Sequence, residues 1–161
     1  MMNWCKNEQK FHIFFDASFS ETKDEAIVAM VIKNSQLDIV LIKNKRVPCR
    51  SSMEAEFRAL HFAISEINLM QQKYLMPQQI NLVFRGDCLN MIEDCNELKK
   101  KHKKYCRNIK PLKYVDKFII TSFVANLSKL QNNNTVNICW ISRNLNKDAD
   151  RYTKPSMLAY C

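Results

Sequence analysis

The sequence contains the stretch FHIFFDAS at residues 11–18, an apolar run that ends in an aspartate. Four of the five residues before Asp16 are apolar, which is typical of a strand buried on both faces of a sheet. A carboxylate at the rim of such a strand costs several kcal/mol unless it is hydrogen-bonded, paired or bound to a metal. Asp16 therefore either caps the turn that follows or belongs to a site that other residues complete.

The composition is that of one ordinary globular domain with two unusual features. The 161 residues are 47% apolar and 25% charged, which is average for a chain of this size. There is one glycine, Gly86, and this excludes a Gly-rich phosphate loop or dinucleotide fingerprint. The net charge of +9 favours a polyanionic partner.

The seven cysteines form no CxxC pair, which disfavours a zinc site and predicts reduced thiols in an intracellular protein. No segment has the pattern of a signal peptide, and no apolar run approaches the roughly 20 residues of a membrane span. We therefore expect a cytoplasmic or nuclear protein without a membrane partner.

Apolar periodicity predicts the element order β-β-β-α-β-α-α-β-α. Short turns between the first three strands predict an antiparallel meander, whereas the last two strands follow helices and are expected to join the sheet in parallel. The predicted fold class is α/β, a mixed five-stranded sheet with flanking helices. All of residues 1–161 are expected to form one domain, with its core at about 10–154. The strands are predicted at 11–18, 26–33, 37–42, 80–85 and 136–141, and the helices at 52–73, 89–98, 115–130 and 148–152.

Carboxylates occur where such a sheet would bring them together. Asp16 lies late in the first strand, Asp87 ends the fourth, and Asp148 and Asp150 follow the fifth. If the first and fourth strands are parallel neighbours, their carboxyl ends share one edge, where ligand sites of open α/β sheets collect.

The first helix offers two glutamates that helical spacing separates. Steps of four, seven and eleven from Glu56 reach apolar residues, whereas the same steps from Glu54 reach polar ones. The pattern predicts that Glu56 lies on the buried stripe and that Glu54 faces solvent. Trp140, inside the last predicted strand, is expected in the core.

Four segments resemble the type 1 ribonuclease H family in order and spacing, particularly its compact branch with a short last helix. They are FFDAS, SSMEAEFRAL, FRGDCLNMI and WISRNLNKDADRYTK, and the resemblance covers about residues 10–154. It implies that the catalytic and metal-binding carboxylates are Asp16, Glu56, Asp87 and Asp150. Asp150 is preferred to Asp148 because the family's motif is Asn-x-x-Ala-Asp. The chain departs from the family at Ala17, where glycine is common, and in a loop without histidine, where Arg143 is the nearest cation.

The resemblance implies an endoribonuclease that hydrolyses the RNA strand of RNA/DNA hybrids by a two-metal-ion mechanism. Carboxylate oxygens suit two Mg²⁺ ions, with Mn²⁺ as a substitute. RNA/DNA hybrid is the expected partner, and selection for RNA needs groups that contact 2′-hydroxyls, for which Glu56 and Asn90 are candidates.

Residues 99–110, KKKHKKYCRNIK, are dense in Lys and Arg and resemble in position the substrate-binding handle of some family members. This basic segment is either a solvated helix face or a phosphate-binding surface. The candidate nucleic-acid contacts are Lys99, Lys100, Lys101, Lys103, Lys104, Arg107, Asn90 and Arg143.

Three other interpretations are open. The same fold could serve as a catalytically inactive nucleic-acid-binding module whose carboxylates are structural. It could be a DNA-acting nuclease or integrase relative, although those space their acids differently. It could also be a protein-interaction domain, but that leaves the carboxylate arrangement unexplained.

Overall fold

A computed structural model describes residues 7–102 and 112–160, and its order of strands and helices is the predicted one. Short 3-10 helices are also present at Arg143–Leu145 and Pro155–Tyr160. None of the described helices is both long and apolar enough to span a membrane. The strands and helices are β1 Lys10–Ser20, β2 Glu25–Lys33, β3 Ile39–Pro48, α1 Ser52–Gln72, β4 Asn81–Gly86, α2 Leu89–His102, α3 Lys117–Asn133, β5 Thr135–Trp140 and α4 Lys147–Arg151.

The five strands form one sheet in the order β3-β2-β1-β4-β5. The pairs β1–β2 and β2–β3 are antiparallel, whereas β1–β4 and β4–β5 are parallel. The predicted mixed sheet, with a three-strand meander and two parallel strands, is therefore confirmed. Strand β3 extends to Pro48, past its predicted end at residue 42, because an edge strand keeps its backbone pairing to β2 where its side chains are polar.

The main core lies between the sheet and helices α1 and α3. Alternate residues of β1, which are Phe11, Ile13 and Phe15, are fully buried on this face, as the period of two in a strand requires. Across the helices, the rings of Phe57 and Phe123 are 4.8 Å apart. This packing fixes α1 against the central strand, so that residues of the helix start are held at the edge where β1 and β4 end.

The opposite face of the sheet has a smaller core, made of Phe14, Val31, Ile141 and Ala149. Ala149 comes from α4, a helix of five residues. The segment after α4 packs on β3, where Nδ2 of Asn44 donates to the carbonyl oxygens of Tyr152 and Met157 at 2.8 and 2.9 Å.

Gly86 lies where β4 ends and closely approaches the central strand. A Cβ atom at this position would be 2.4 Å from Cζ of Phe15, which is shorter than any contact that packed carbon atoms tolerate. The single glycine therefore permits close packing directly before Asp87.

Trp140 does not lie in the core, contrary to expectation. The side chain is 49% exposed, and its Nε1 donates a hydrogen bond to the carbonyl oxygen of Asp87 at 3.1 Å. Because β5 is an edge strand and Trp140 is its last residue, the indole is held at the end of the sheet.

Candidate active site

Three carboxylates from three elements converge at one edge of the sheet. Asp16 comes from β1, Glu56 from α1 and Asp87 from the residue after β4, and each offers an oxygen within 4.8 Å of the others. The parallel register explains part of this, because Phe14 is paired with Arg85 and two further residues bring Asp16 opposite Asp87. The start of α1 is fixed by Ser51, whose Oγ accepts a hydrogen bond from the backbone N–H of Glu54 at 3.1 Å.

Burial and mutual repulsion disfavour the ionised forms of these acids. The pKa of Asp16 is raised to about 7 by burial and then by the charge of Asp87, against a hydrogen bond from the Ala17 backbone that lowers it. The pKa of Glu56 is raised to about 9 by burial and by the charges of Asp16 and Asp87, while Arg143 lowers it. The cluster therefore binds protons tightly when no cation neutralises it.

The donor set fits a divalent cation that prefers oxygen. Oε2 of Glu56 is buried and has no hydrogen-bond partner among the described residues, although buried carboxylate oxygens are normally satisfied. A cation among Asp16, Glu56 and Asp87 would give this oxygen a partner and offset the repulsion between the three acids.

Asp150 lies beside the cluster, at a more exposed position. Its charge and a hydrogen bond between the two carboxyl groups both raise the pKa of Asp16. The same carboxylate is 52% exposed and pairs with Lys154 at 3.4 Å. Asp148 points elsewhere, since its Oδ2 pairs with Lys33 at 2.6 Å. The site thus brings together Asp16, Glu56 and Asp87, with Asp150 in electrostatic contact.

Asn146, which in the sequence stands out only as part of the Asn-x-x-Ala-Asp motif, contacts the carboxylate cluster. It is fully buried, and its Nδ2 donates to the carbonyl oxygen of Phe15 at 2.9 Å and to Oδ2 of Asp87 at 3.1 Å. The side chain therefore ties the loop before α4 to β1 and fixes the orientation of Asp87. Asn146 lies directly before α4, outside any amphipathic helix, so only its place before Ala149 and Asp150 could have indicated it.

We expect Asn146→Ala to lower the free energy of unfolding by about 1–3 kcal/mol, because a buried carbonyl oxygen and a partly buried carboxylate lose their donor. Urea unfolding followed by circular dichroism measures the change. Asn144→Ala is the matched control, since Asn144 is an exposed asparagine in the same loop. Equal destabilisation by the two substitutions would show that the buried hydrogen bonds of Asn146 are not what holds the loop.

The prediction that Glu54 faces solvent is wrong. Glu54 is 1% exposed, its Oε2 accepts from the backbone N–H of Arg50 at 2.6 Å, and its Oε1 pairs with Arg58 at 3.2 Å. The spacing Ser51-x-x-Glu54 is that of a capping box, in which the glutamate turns back toward the residues before the helix. Helical periodicity misplaced Glu54 because capping contacts, and not the position of the apolar stripe, determine where a side chain in the first turn of a helix lies.

The predicted nucleic-acid contacts lie in different surroundings. Asn90 and Arg143 are exposed, and Arg143 is close enough to Glu56 to lower the pKa of that carboxyl. Lys100 is exposed near the end of α2, but the Nζ of Lys99 donates to the carbonyl oxygen of Val136. Lys101 also belongs to α2. The other basic-segment candidates, Lys103, Lys104 and Arg107, lie outside the described residues.

The fold is shared with solved RNase H structures. It matches RNase H1 of the halophilic archaeon Halobacterium salinarum with a TM-score of 0.64 at 18% identity, covering 94% of this chain and 99% of that one. It matches the N-terminal RNase H domain of a Mycobacterium tuberculosis protein with a TM-score of 0.64 at 13% identity, covering 93% and 94%. It also matches LC11-RNase H1 in complex with an RNA/DNA hybrid, with a TM-score of 0.60 at 14% identity, covering 88% and 91%.

Sequence comparison assigns the family. No curated protein matches the chain in sequence. A family model described as reverse transcriptase-like matches residues 14–155, which include all four candidate carboxylates. The chain therefore belongs to the reverse transcriptase-like family and has the ribonuclease H-like fold.

Proposed function

We propose that this protein is an endoribonuclease that hydrolyses the RNA strand of RNA/DNA hybrids with the help of divalent cations. The observation that carries the proposal is the convergence of Asp16, Glu56 and Asp87 within 4.8 Å, together with a buried oxygen of Glu56 that has no partner in the described part of the chain. Buried carboxylate oxygens are normally satisfied, and a bound cation would satisfy this one. The fold it shares with an RNase H1 solved in complex with an RNA/DNA hybrid supports the choice of substrate.

Asp16, Glu56, Asp87 and Asp150 would hold the cations, which we propose to be two Mg²⁺ ions, with Mn²⁺ able to replace them. When bound, the cations would supply charge neutralisation and polarise the scissile phosphate. The protein's part is to present ionised carboxylates. Because the pKa of Glu56 is raised to about 9, this side chain must give up a proton when a cation binds.

Residues around the cluster orient the acids and the substrate. Asn146 fixes Oδ2 of Asp87 through a hydrogen bond at 3.1 Å, so this carboxylate does not need to reorganise when substrate arrives. Arg143 is exposed beside Glu56 and is our candidate for contacting a substrate phosphate. Asn90, exposed in the first turn of α2, is our candidate for contacting 2′-hydroxyls together with Glu56.

The test of the proposal is cleavage of a labelled RNA/DNA hybrid in Mg²⁺, beside single-stranded RNA, double-stranded RNA and duplex DNA. We expect cleavage of the hybrid alone, with loss of activity in EDTA. Tight hybrid binding without cleavage in Mg²⁺ or Mn²⁺ would instead indicate a nucleic-acid-binding module. Cleavage of duplex DNA would indicate a DNA-acting relative of the same fold.

We also propose that the basic segment at residues 99–110 binds the phosphate backbone. Replacing Lys100, Lys103 and Lys104 by Ala is expected to weaken hybrid binding and to reduce the dependence of the binding constant on salt. Each phosphate contact that is lost should lower the slope of log K against log[salt] by about 0.9. Fluorescence anisotropy with a labelled hybrid at several salt concentrations measures this slope.

The matched control replaces Lys10, Lys73 and Lys129 by Ala, which removes the same charge elsewhere. These lysines lie at the start of β1 and near the ends of α1 and α3, at the end of the molecule opposite the carboxylates. A phosphate-binding role predicts a smaller slope for the first variant alone. If both variants reduce the slope equally, net charge explains the effect and the basic segment has no special role.

A further inference from the structure

A pocket of about 470 Å³ opens on the face of the sheet opposite α1 and α3. Its volume is within the range of about 300–1,000 Å³ that is common for small-molecule sites. Among the described residues, α4 contributes only Ala149 to the core of this face. It shares no residue with the carboxylate cluster, and it is lined by His12, Phe14, Lys33, Ser35, Leu37, Arg85, Ile141 and Leu145.

Half of the lining is apolar. Phe14 and Ile141 are buried and belong to the small core on this face, while Leu37 and Leu145 are 55% and 68% exposed at the rim. A ligand with an apolar body would remove both leucines from water, and the transfer of apolar surface out of water favours binding.

The other side of the pocket is cationic. Nε of Arg85 donates to Nδ1 of His12 at 3.2 Å, so this ring nitrogen is an acceptor and the imidazole is neutral. Lys33 lies over the ring of Phe14, 4.7 Å from its centroid. The pKa of His12 is lowered by burial and by the charges of Arg85, Lys10 and Lys33, which places positive potential at the pocket wall.

The carboxylates around the pocket are already engaged. Asp148 pairs with Lys33 at 2.6 Å, and Oε2 of Glu8 accepts from the backbone N–H of Ser35 at 3.2 Å. Among the described residues, no carboxylate pairs with Arg85. Its guanidinium is therefore the cation available to an incoming anion, and its planar donors match a carboxylate.

We propose that this pocket binds a small amphiphilic carboxylate, whose acid group pairs with Arg85 and whose apolar chain lies along Phe14, Leu37, Ile141 and Leu145. The pocket would hold one such anion, because Lys33 is already neutralised by Asp148. This site is separate from the proposed nuclease site and does not depend on that function.

Three probes separate the head group from the chain. Octanoate carries both, octanol only the chain and acetate only the acid. Titration of the full-length protein, followed by amide chemical shifts in ¹H–¹⁵N spectra, should give saturable shifts of Ser35 and Leu37 with octanoate at millimolar concentration. Octanol should bind about tenfold more weakly, since a charged hydrogen bond is lost. Acetate should not saturate.

Two variants test the two halves of the pocket. Arg85→Met should weaken octanoate binding about tenfold and leave octanol binding unchanged. Leu37→Ser should weaken both, and it removes an exposed side chain, so the core stays intact. Arg46→Met is the matched control, because Arg46 lies on β3 and pairs with Glu25 away from the pocket.

Several results would overturn the proposal. Equal affinity for octanol and octanoate, or full octanoate affinity in Arg85→Met, would remove the role of the guanidinium. Shifts that do not saturate, or that avoid Ser35 and Leu37, would show that the pocket is not the binding site. Hybrid cleavage by Leu37→Ser should equal that of the original protein. A failure of the pocket proposal can therefore be distinguished from a failure of the proposed nuclease function.

Discussion

Asp16→Asn is expected to lower the rate of RNA/DNA hybrid cleavage at least about a thousandfold without lowering the stability of the protein. Asp16 is 6% exposed at the centre of the carboxylate cluster. The charges of Asp87 and Asp150 raise its pKa, and its own charge raises the pKa of Glu56. An amide has the same shape but cannot neutralise a cation. Loss of several kcal/mol of transition-state stabilisation corresponds to at least about three powers of ten in rate.

The stability half of this prediction follows from the same repulsion. Burial and neighbouring acids raise the pKa of Asp16 to about 7, so the ionised carboxylate is disfavoured in the folded protein. Asparagine removes that charge and leaves the packing in place. Single-turnover cleavage rates and thermal unfolding in EDTA, measured on the same preparation, distinguish loss of chemistry from loss of fold.

The controls use the two aspartates of α4. Asp150→Asn should also reduce cleavage strongly, because Asp150 is in electrostatic contact with Asp16. Asp148→Asn removes a carboxylate two residues away that pairs with Lys33 instead, and it should leave cleavage within a few-fold of normal. The opposite ranking of the two variants would contradict the choice of Asp150, and undiminished cleavage by Asp16→Asn would contradict the site itself.

The order of elements and the position of the central acids could be predicted because the sequence signals were local. Four of the five residues before Asp16 are apolar, and Gly86-Asp87 ends another largely apolar strand, so parallel pairing brought the two acids to one edge. Helical spacing put Glu56 on an apolar stripe, and the family resemblance assigned it to the cluster. Apolar periodicity and the order of the elements can both be read from the sequence, and the observed fold agrees with both.

Features that depend on a few tertiary contacts could not be predicted in this way. Glu54 is buried by its contacts with Arg50 and Arg58, which periodicity does not describe. Asn146 gains its role from hydrogen bonds to residues 131 and 59 positions away. Trp140 is exposed because β5 lies at the sheet edge, a fact of topology rather than of composition.

Mg²⁺ is expected to stabilise the protein, and to do so more at alkaline than at acidic pH. Without cations, Glu56 and Asp16 have folded pKa values of about 9 and about 7, above their usual values of 4.5 and 3.8. At a pH between the usual and the folded pKa of each group, the folded state holds more protons than the unfolded state, so stability falls as pH rises. Cations that replace those protons should recover the loss, and they compete least with protons at high pH.

The size of the stabilisation by Mg²⁺ follows from the linkage between cation binding and folding. A cation at about 100 times its dissociation constant stabilises the folded state by about 2.7 kcal/mol, which corresponds to a rise in Tm of roughly 5–10 °C for a chain of this length. Thermal unfolding in EDTA and in millimolar Mg²⁺, from about pH 5 to about pH 9, measures the rise. We expect it to approach this value near pH 8 and to be smaller near pH 5.

Two glutamates of the same helix provide the controls. Glu56→Gln replaces a buried carboxylate by a neutral amide, so it should raise Tm in EDTA at high pH and greatly reduce the gain from Mg²⁺. Glu54→Gln weakens the contacts with Arg50 and Arg58, so it should lower Tm at every pH while the gain from Mg²⁺ persists. If Mg²⁺ stabilised both variants equally, the cation would be binding elsewhere, and the carboxylate cluster would be a feature of the fold without a metal.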